Sequence, residues 1–321
     1  MRTSRKIAHL VLGAAGATLL AACGVPPASS PSQAMTTPVA CSELAARFAS
    51  PATRIAAAES VPAGLTVPNM AQPYPMPAHC KVNGVMHERT GADGKPYAIG
   101  FEMRLPNAWN GRFFYQANGG IDGSVATATG AVNGGNGLTN ALAMGFAVIS
   151  SDAGHAGSLG PFFGIDPQAR LDFGYQAVAK LTPMAKAAIQ IAYGKAPDRS
   201  YFGGCSNGGR HTMVAAARYA DQYDGFLAGD PGFRLPLAAI ANIAAFQGYA
   251  SVASNPADVS TGFTPAERAL VSKAVLAKCD ALDGAADGLV QDTAACQVAF
   301  SLDRDVPTCG GARERRHNRV V

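Results

Sequence analysis

The chain has 321 residues, 48% of them hydrophobic and 15% charged, with 36 glycines, 7 cysteines and a formal net charge of +4. That length allows one large core or two domains, and so few charges beside so much apolar sequence exclude a disordered chain. The positive charge is terminal: Arg2, Arg5 and Lys6 stand at one end, and Arg313, Arg315, Arg316 and Arg319 against Glu314 at the other. The body between them is slightly acidic and offers no basic face for a nucleic acid.

Arg2 to Lys6 form a positive n-region, and Leu10 to Leu20 an apolar run too short for a permanent membrane span. Residues 1–22 therefore read as a signal peptide. Leu20-Ala21-Ala22-Cys23 has the form of a lipobox, which would make Cys23 the site of a lipid anchor; an ordinary signal peptide cut after a small residue is the alternative. On either reading the protein is exported, as a periplasmic or outer-membrane lipoprotein or as a secreted protein, and disulfides are permitted. Residues 23–40, rich in Pro and Ser, read as a flexible tether.

The folded part is expected from Cys41. Ser42 to Phe48 predicts a short helix with Ser42 as its cap. Cys80 opens a strand over Lys81 to Arg89, and Thr90 to Pro96 is a turn. Tyr97 to Leu105 alternates, with Ile99, Phe101, Met103 and Leu105 on one face, and predicts a half-buried strand. Arg112 to Gln116 is the next strand. Asn118-Gly119-Gly120-Ile121-Asp122-Gly123 follows it, and glycines at a strand end let backbone N–H groups turn into a site. Leu138 to Met144 predicts a helix, and Phe146 to Ser151 a strand covered on both faces. Leu171, Phe173, Ala177, Leu181, Met184, Ala188 and Ile191 recur at helical spacing and predict one amphipathic helix over Ala169 to Tyr193.

The stretch Tyr201-Phe202-Gly203-Gly204-Cys205-Ser206-Asn207-Gly208-Gly209-Arg210 organises the rest. Gly204-x-Ser206-x-Gly208 lies between a short strand, Arg199 to Phe202, and an alanine-rich helix, His211 to Tyr219. That is the form of a nucleophile elbow. A strand turning sharply into a helix strains the serine backbone, and the flanking glycines avoid a clashing Cβ. The hydroxyl then stands at a helix N-terminus, where free N–H groups and the dipole favour a developing negative charge. Tyr223 to Gly232 reads as a further strand and turn. Strand–helix alternation from Phe146 to Asp230 predicts an α/β fold with a parallel sheet.

From Phe233 the sequence is alanine-rich and helical, with Thr264 as a cap and Pro265 at the first helical position. Asp280, Asp283 and Asp287, two of them followed by glycine, form a tight acidic loop between Cys279 and Cys296. Its hard oxygen donors suit calcium, although the spacing is not that of an EF-hand.

With Cys205 directly before Ser206, Gly204 to Arg210 resembles the tannase and feruloyl esterase family, and the resemblance extends over residues 40–309. It implies an α/β-hydrolase core with an inserted lid domain: core at 41–232, and the start of the lid, with a structural calcium loop, at 233–309. Ser206 would be the nucleophile that carries the acyl group, and the N–H groups of Gly120 and Asn207 would hold the oxyanion. Calcium would be held by the side chains of Asp280, Asp283 and Asp287 and the carbonyls of Ala285 and Leu289. Disulfides Cys41–Cys80 and Cys279–Cys296 are implied. In this fold the base follows the serine in the chain, so His155 reads as structural or as a pocket wall.

The family also pairs the cysteine before the serine with one after the catalytic histidine. No His-Cys pair occurs near the C-terminus, so Cys205 lacks its expected partner. Residues 310–321 are basic and without hydrophobic pattern, and His317 has no cysteine after it. An aberrant end is therefore expected, with the C-terminal part of the core, most of the lid, and the catalytic Asp and His missing. The expected function is an exported serine esterase acting on small esters of aromatic acids, with little turnover from this chain. The alternative is an inactive, calcium-binding surface lipoprotein; a peptidase is disfavoured by the Cys-Ser pair. Neither the particular acid nor the oligomeric state can be read from the sequence.

Overall fold

The computed structural model describes residues 39–64, 76–131 and 139–307. The signal peptide, Cys23, nearly all of the tether, Cys309 and the tail with His317 lie outside the described residues. The chain divides into two compact units, Met1–Pro231 and Gly232–Val321.

The first unit starts with helix α1 (Cys41–Arg47), followed by strands β1 (Thr53–Val61), β2 (His79–Thr90), β3 (Pro96–Pro106), β4 (Arg112–Ala117) and β5 (Ala147–Ser151). Helices α2 (Pro167–Leu171) and α3 (Ala177–Tyr193), strand β6 (Arg199–Cys205), helix α4 (Asn207–Arg218) and strand β7 (Gly225–Gly229) complete it. The seven strands form one sheet in the order β1-β2-β3-β5-β4-β6-β7. From β1 through β2 and β3 to β5 the pairing is antiparallel; from β5 through β4 and β6 to β7 it is parallel.

Alternation along the strands divides the core between the two faces. Met103, Leu105, Phe113, Tyr115, Ile149 and Phe202 pack with Leu181, Ile189 and Tyr193 of α3. On the other face Phe114 and Val148 pack with Ala128, Leu142 and Phe146. Each such large side chain contributes about 1.5–3 kcal/mol by leaving water. β5, between antiparallel β3 and parallel β4, is buried along its whole length, as a strand covered on both faces should be. Trp109 stacks on Tyr193 at 4.2 Å, and the Tyr193 hydroxyl donates to Pro106 O at 2.8 Å.

Several local expectations differ from what forms. Ser42 lies inside α1; Ala40 occupies the cap position without a side-chain bond, and Cys41, tied to Cys80, is the first helical residue. β3 is covered on both faces, because the loop after β4 closes over its second face: Glu102 accepts from Ala128 N–H at 2.9 Å and from Arg104 Nε at 2.7 Å. Leu138 to Met144 is no helix where it is described. Ala141–Gly145 forms hydrogen-bonded turns, with Asn140 Oδ1 capping Ala143 N–H and Gly145 at φ 88°, and this sinks Leu142 into the core. The single helix expected over Ala169–Tyr193 is interrupted by a π-helical turn at Asp172–Gln176 between α2 and α3. β1, which pairs along β2, was not expected.

In the second unit α5 (Leu235–Val252), α6 (Pro265–Cys279), α7 (Thr293–Ala299) and α8 (Leu302–Asp305) are joined without a strand among the described residues. Thr264 and Glu267 form the reciprocal capping box at the start of α6, with Pro265 at its first position. α5 is long and apolar enough to cross a membrane by length and composition, and none of it is buried.

Candidate active site

β4 and β6 are parallel neighbours in register, Ala117 opposite Gly204. The loop Asn118–Gly123 and the turn at Ser206 therefore leave the same end of the sheet side by side. Ser206 is the hinge between β6 and α4, with φ 59° and ψ −120°. For a residue with a Cβ that conformation costs on the order of 1–3 kcal/mol, and such strain persists only where the surroundings impose it. Here the impositions are visible. A Cβ on Gly204 or Gly208 would lie 2.5 or 2.4 Å from Ala117 O, and one on Gly209 would lie 2.4 Å from Gly229 O. Ser206 N–H donates to Gly229 O at 3.0 Å, which pins the turn to β7 as well.

The Ser206 side chain is exposed and makes no hydrogen bond among the described residues. The first bond of the α4 ladder runs from Arg210 N–H to Ser206 O at 3.0 Å. The N–H groups of Asn207, Gly208 and Gly209 precede it, as at any helix start. Gly120 has φ 64°, and a Cβ there would meet nothing within 4 Å. The neighbouring Gly119 approaches Cys205 O, which a Cβ would reach at 3.8 Å. The structure thus brings Ser206, Asn207 and the Gly120 loop together. Cys205 is half-buried and carries a free thiol.

Beneath this corner lies a polar network that the sequence did not single out. Asp122 Oδ2 accepts from Asn207 Nδ2 at 2.7 Å and lies 2.7 Å from His211 Nε2, a contact that needs the proton on that nitrogen. Arg210 Nε donates to Asn207 Oδ1 at 2.7 Å, and its terminal nitrogens donate to Phe173 O and Gly174 O in the π-helical turn. Burial in this setting pulls the Arg210 guanidinium below its ordinary value. The only sequence signal for His211 was its place one turn after Asn207, on the same face of α4; Asp122 was in view as a loop residue with no partner to give it a role.

Nearby, Asp152 Oδ1 accepts from Gly100 N–H at 3.0 Å and Gly154 N–H at 2.8 Å, and burial pushes its carboxyl up to about 7. His155 is buried and stacked on Phe163 at 3.7 Å, with neither ring nitrogen hydrogen-bonded; burial lowers its proton affinity. It makes no hydrogen bond to the serine hydroxyl. The other described histidines, His79 and His87, lie on β2, and none of the four bonds to Ser206.

In the second unit Cys279 and Cys296 are joined, as Cys41 and Cys80 are in the first. The acidic loop between them is held by its own backbone. Asp280 Oδ1 accepts from Gly288 N–H, Asp287 Oδ1 from Leu289 N–H, and Asp283 from Ala285 and Gln291 N–H, all at 2.9–3.0 Å. The Gln291 and Ala285 donors hold the Asp283 carboxyl below its usual range. Gly284 and Gly288 have φ 95° and 84°. The all-oxygen donors suit calcium, but the carboxylates are spread along the loop: among the described residues no three acidic, histidine or cysteine side chains gather into a metal cluster.

A partly parallel sheet in which a parallel strand turns through a positive-φ serine into a helix defines an α/β-hydrolase. Feruloyl esterase B from Aspergillus oryzae shares this fold: its crystal structure matches 85% of this chain and 51% of that one, at TM-score 0.65 and 24% identity. The family model for tannase and feruloyl esterase matches residues 80–314, and the chain belongs to that family. It is 43% identical to mono(2-hydroxyethyl) terephthalate hydrolase of Piscinibacter sakaiensis over 246 residues, 73% of this chain and 41% of that protein. To the probable feruloyl esterase B-1 of Aspergillus fumigatus it is 34% identical over 199 residues, 62% and 35% of the two chains. The chain spans less than half the length of these curated relatives.

Proposed function

We propose that the chain is an exported serine carboxylic-ester hydrolase acting on small esters of aromatic acids. The observation that carries this is the backbone of Ser206, held at φ 59° and ψ −120° and exposed at the β6–α4 junction. Ser206 Oγ attacks the acyl carbon and gives its proton to a base. The N–H groups of Gly120 and Asn207 stabilise the oxyanion, and the alcohol leaves to give an acyl-enzyme that water then cleaves to the acid. The base and the acid that orients it are not among the described histidine contacts. Aromatic acids are supported by the relatives' names, feruloyl esterase and terephthalate hydrolase. Export is supported by the two disulfides and the leader. The second unit acts as a lid steadied by calcium at Asp280, Asp283, Asp287 and the carbonyls of Ala285 and Leu289, which the glycine-permitted loop and its oxygen donors support.

The unbonded Ser206 hydroxyl favours a second reading, a non-catalytic calcium-dependent surface protein. Reaction with a fluorophosphonate separates the two. Stoichiometric labelling mapped to Ser206, absent in Ser206→Ala, with slow hydrolysis of p-nitrophenyl and ferulate esters, is expected of the esterase. A folded chain that takes no label and hydrolyses no ester would sink it.

A further inference from the structure

Two oxyanion donors on different elements must converge on one oxygen, so something has to fix the loop that carries Gly120 relative to the helix that carries Asn207. Packing does not do this at Gly120 itself, where a Cβ would find open space. The loop is anchored at its ends: Asn118 Nδ2 donates to Ser151 O at 2.7 Å, and Gly123 N–H to Asp152 O at 3.1 Å. Between those anchors stands Asp122, at φ 55°. Its side chain is 2% exposed and that of His211 6%, and a single oxygen, Oδ2, meets both Asn207 Nδ2 and His211 Nε2 at 2.7 Å. Removing that oxygen would strand two buried donors. The network continues through Asn207 Oδ1 and Arg210 to the carbonyls of Phe173 and Gly174, so the first turn of α4 is held from both sides.

We propose that Asp122 is a positioning residue: it clamps the Gly120 loop to the first turn of α4 and so sets the spacing of the two oxyanion donors. The proposal rests on the reading of Ser206, Gly120 and Asn207 given above. It assigns to the Asp122–His211 pair a task other than proton transfer to or from the nucleophile. Because one oxygen accepts both bonds, Asn at this position retains the clamp through its carbonyl, whereas Ala loses it.

The test compares the wild-type chain with Asp122→Ala and Asp122→Asn in two measurements. One is hydrogen–deuterium exchange at the amides of 119–122 and 207–209, with β6 as internal reference. The other is the rate of fluorophosphonate labelling, in which an Oγ–P bond forms, P–F breaks, and fluoride leaves with the serine proton. Asp122→Ala is expected to exchange on the order of tenfold faster at those amides. It should also label at least about tenfold more slowly while reaching the same final labelled fraction, because small displacements at a reacting centre cost large factors. Asp122→Asn should regain most of both. Unchanged exchange in Asp122→Ala overturns the clamp. So does a loss of labelled fraction with the rate intact, which is the mark of mere unfolding, and so does an Asn variant no better than Ala. A folded wild-type chain that takes no label refutes the esterase reading instead, and the exchange comparison then decides the clamp alone.

Discussion

Gly208 lies inside α4, where alanine is intrinsically the better residue by about 1 kcal/mol. The structure nevertheless predicts that Gly208→Ala destabilises. The new Cβ would sit 2.4 Å from Ala117 O, 3.0 Å from Ala117 C and 3.1 Å from Asn118 O, whereas ordinary contact begins at 3.4 Å. All three obstacles are backbone atoms at the end of β4, hydrogen-bonded into the centre of the sheet, so no side chain can rotate out of the way. Relief needs about 1 Å of separation between α4 and β4. Forced overpacking of this kind costs about 3 kcal/mol or more, against the helix gain of about 1 kcal/mol. The net expectation is a loss of about 2 kcal/mol or more, with the serine displaced and fluorophosphonate labelling slowed about a hundredfold. Urea unfolding followed by Trp109 fluorescence measures it, since this tryptophan is the chain's only one and is fully buried in the core of the first unit. Gly174→Ala, where a Cβ meets nothing within 4 Å, is the control and should unfold at or above the wild-type midpoint. If Gly208→Ala matched that control, the close approach of helix and strand would not be what holds the elbow.

The strained serine gives a prediction of opposite sign. Ser206→Gly should raise stability by about 1 kcal/mol in the same urea assay, relief of φ strain exceeding the added freedom of the unfolded chain, while labelling disappears; lower stability would show the conformation to be unstrained. Asp152, with its carboxyl raised to about 7 in the folded chain, favours folding fully below its ordinary value near 4 and progressively less as pH rises to 7. Relative to wild type, Asp152→Asn should therefore gain up to about 4 kcal/mol between pH 4 and 7.5, and a constant difference across that range would contradict the burial argument. In the second unit, calcium should raise the melting temperature seen by helical circular dichroism, and Asp283→Asn should abolish the shift; identical melting in calcium and in chelator would remove the metal from the loop.

What could be read without coordinates was what neighbouring residues decide among themselves. The elbow glycines, the Thr264 cap and the strand at β3 are local patterns and formed in their expected places, although β3 is covered on both faces and the helix expected along the apolar stripe into α3 is broken by a π-helical turn. β1 was missed because Thr53–Val61 is mostly alanine and polar, so its extended form comes from pairing along β2 and not from its own periodicity. Leu138–Met144 has helical composition, but burying Leu142 beside Phe146 required a tight turn closed by Gly145. The apolar stripe over Ala169–Tyr193 runs through the π-helical turn, because a one-residue offset leaves periodicity almost unchanged.

For the site the division is similar. The Ser206 turn was legible because steric necessity puts glycine around such a serine, whereas Gly120 and Asn207 were singled out by the family resemblance. That Ala117 ends opposite Gly204, and that Asp122 meets both Asn207 and His211, were decided only by strand order and register. Those contacts join residues more than 80 positions apart, and no pattern along the chain encodes a distance across it. The sequence by itself determined the strained serine turn and the cap at Thr264; the tertiary structure decided which faces are covered and which residues face one another, because strand pairing and helix packing are collective and a single segment's preferences do not set them.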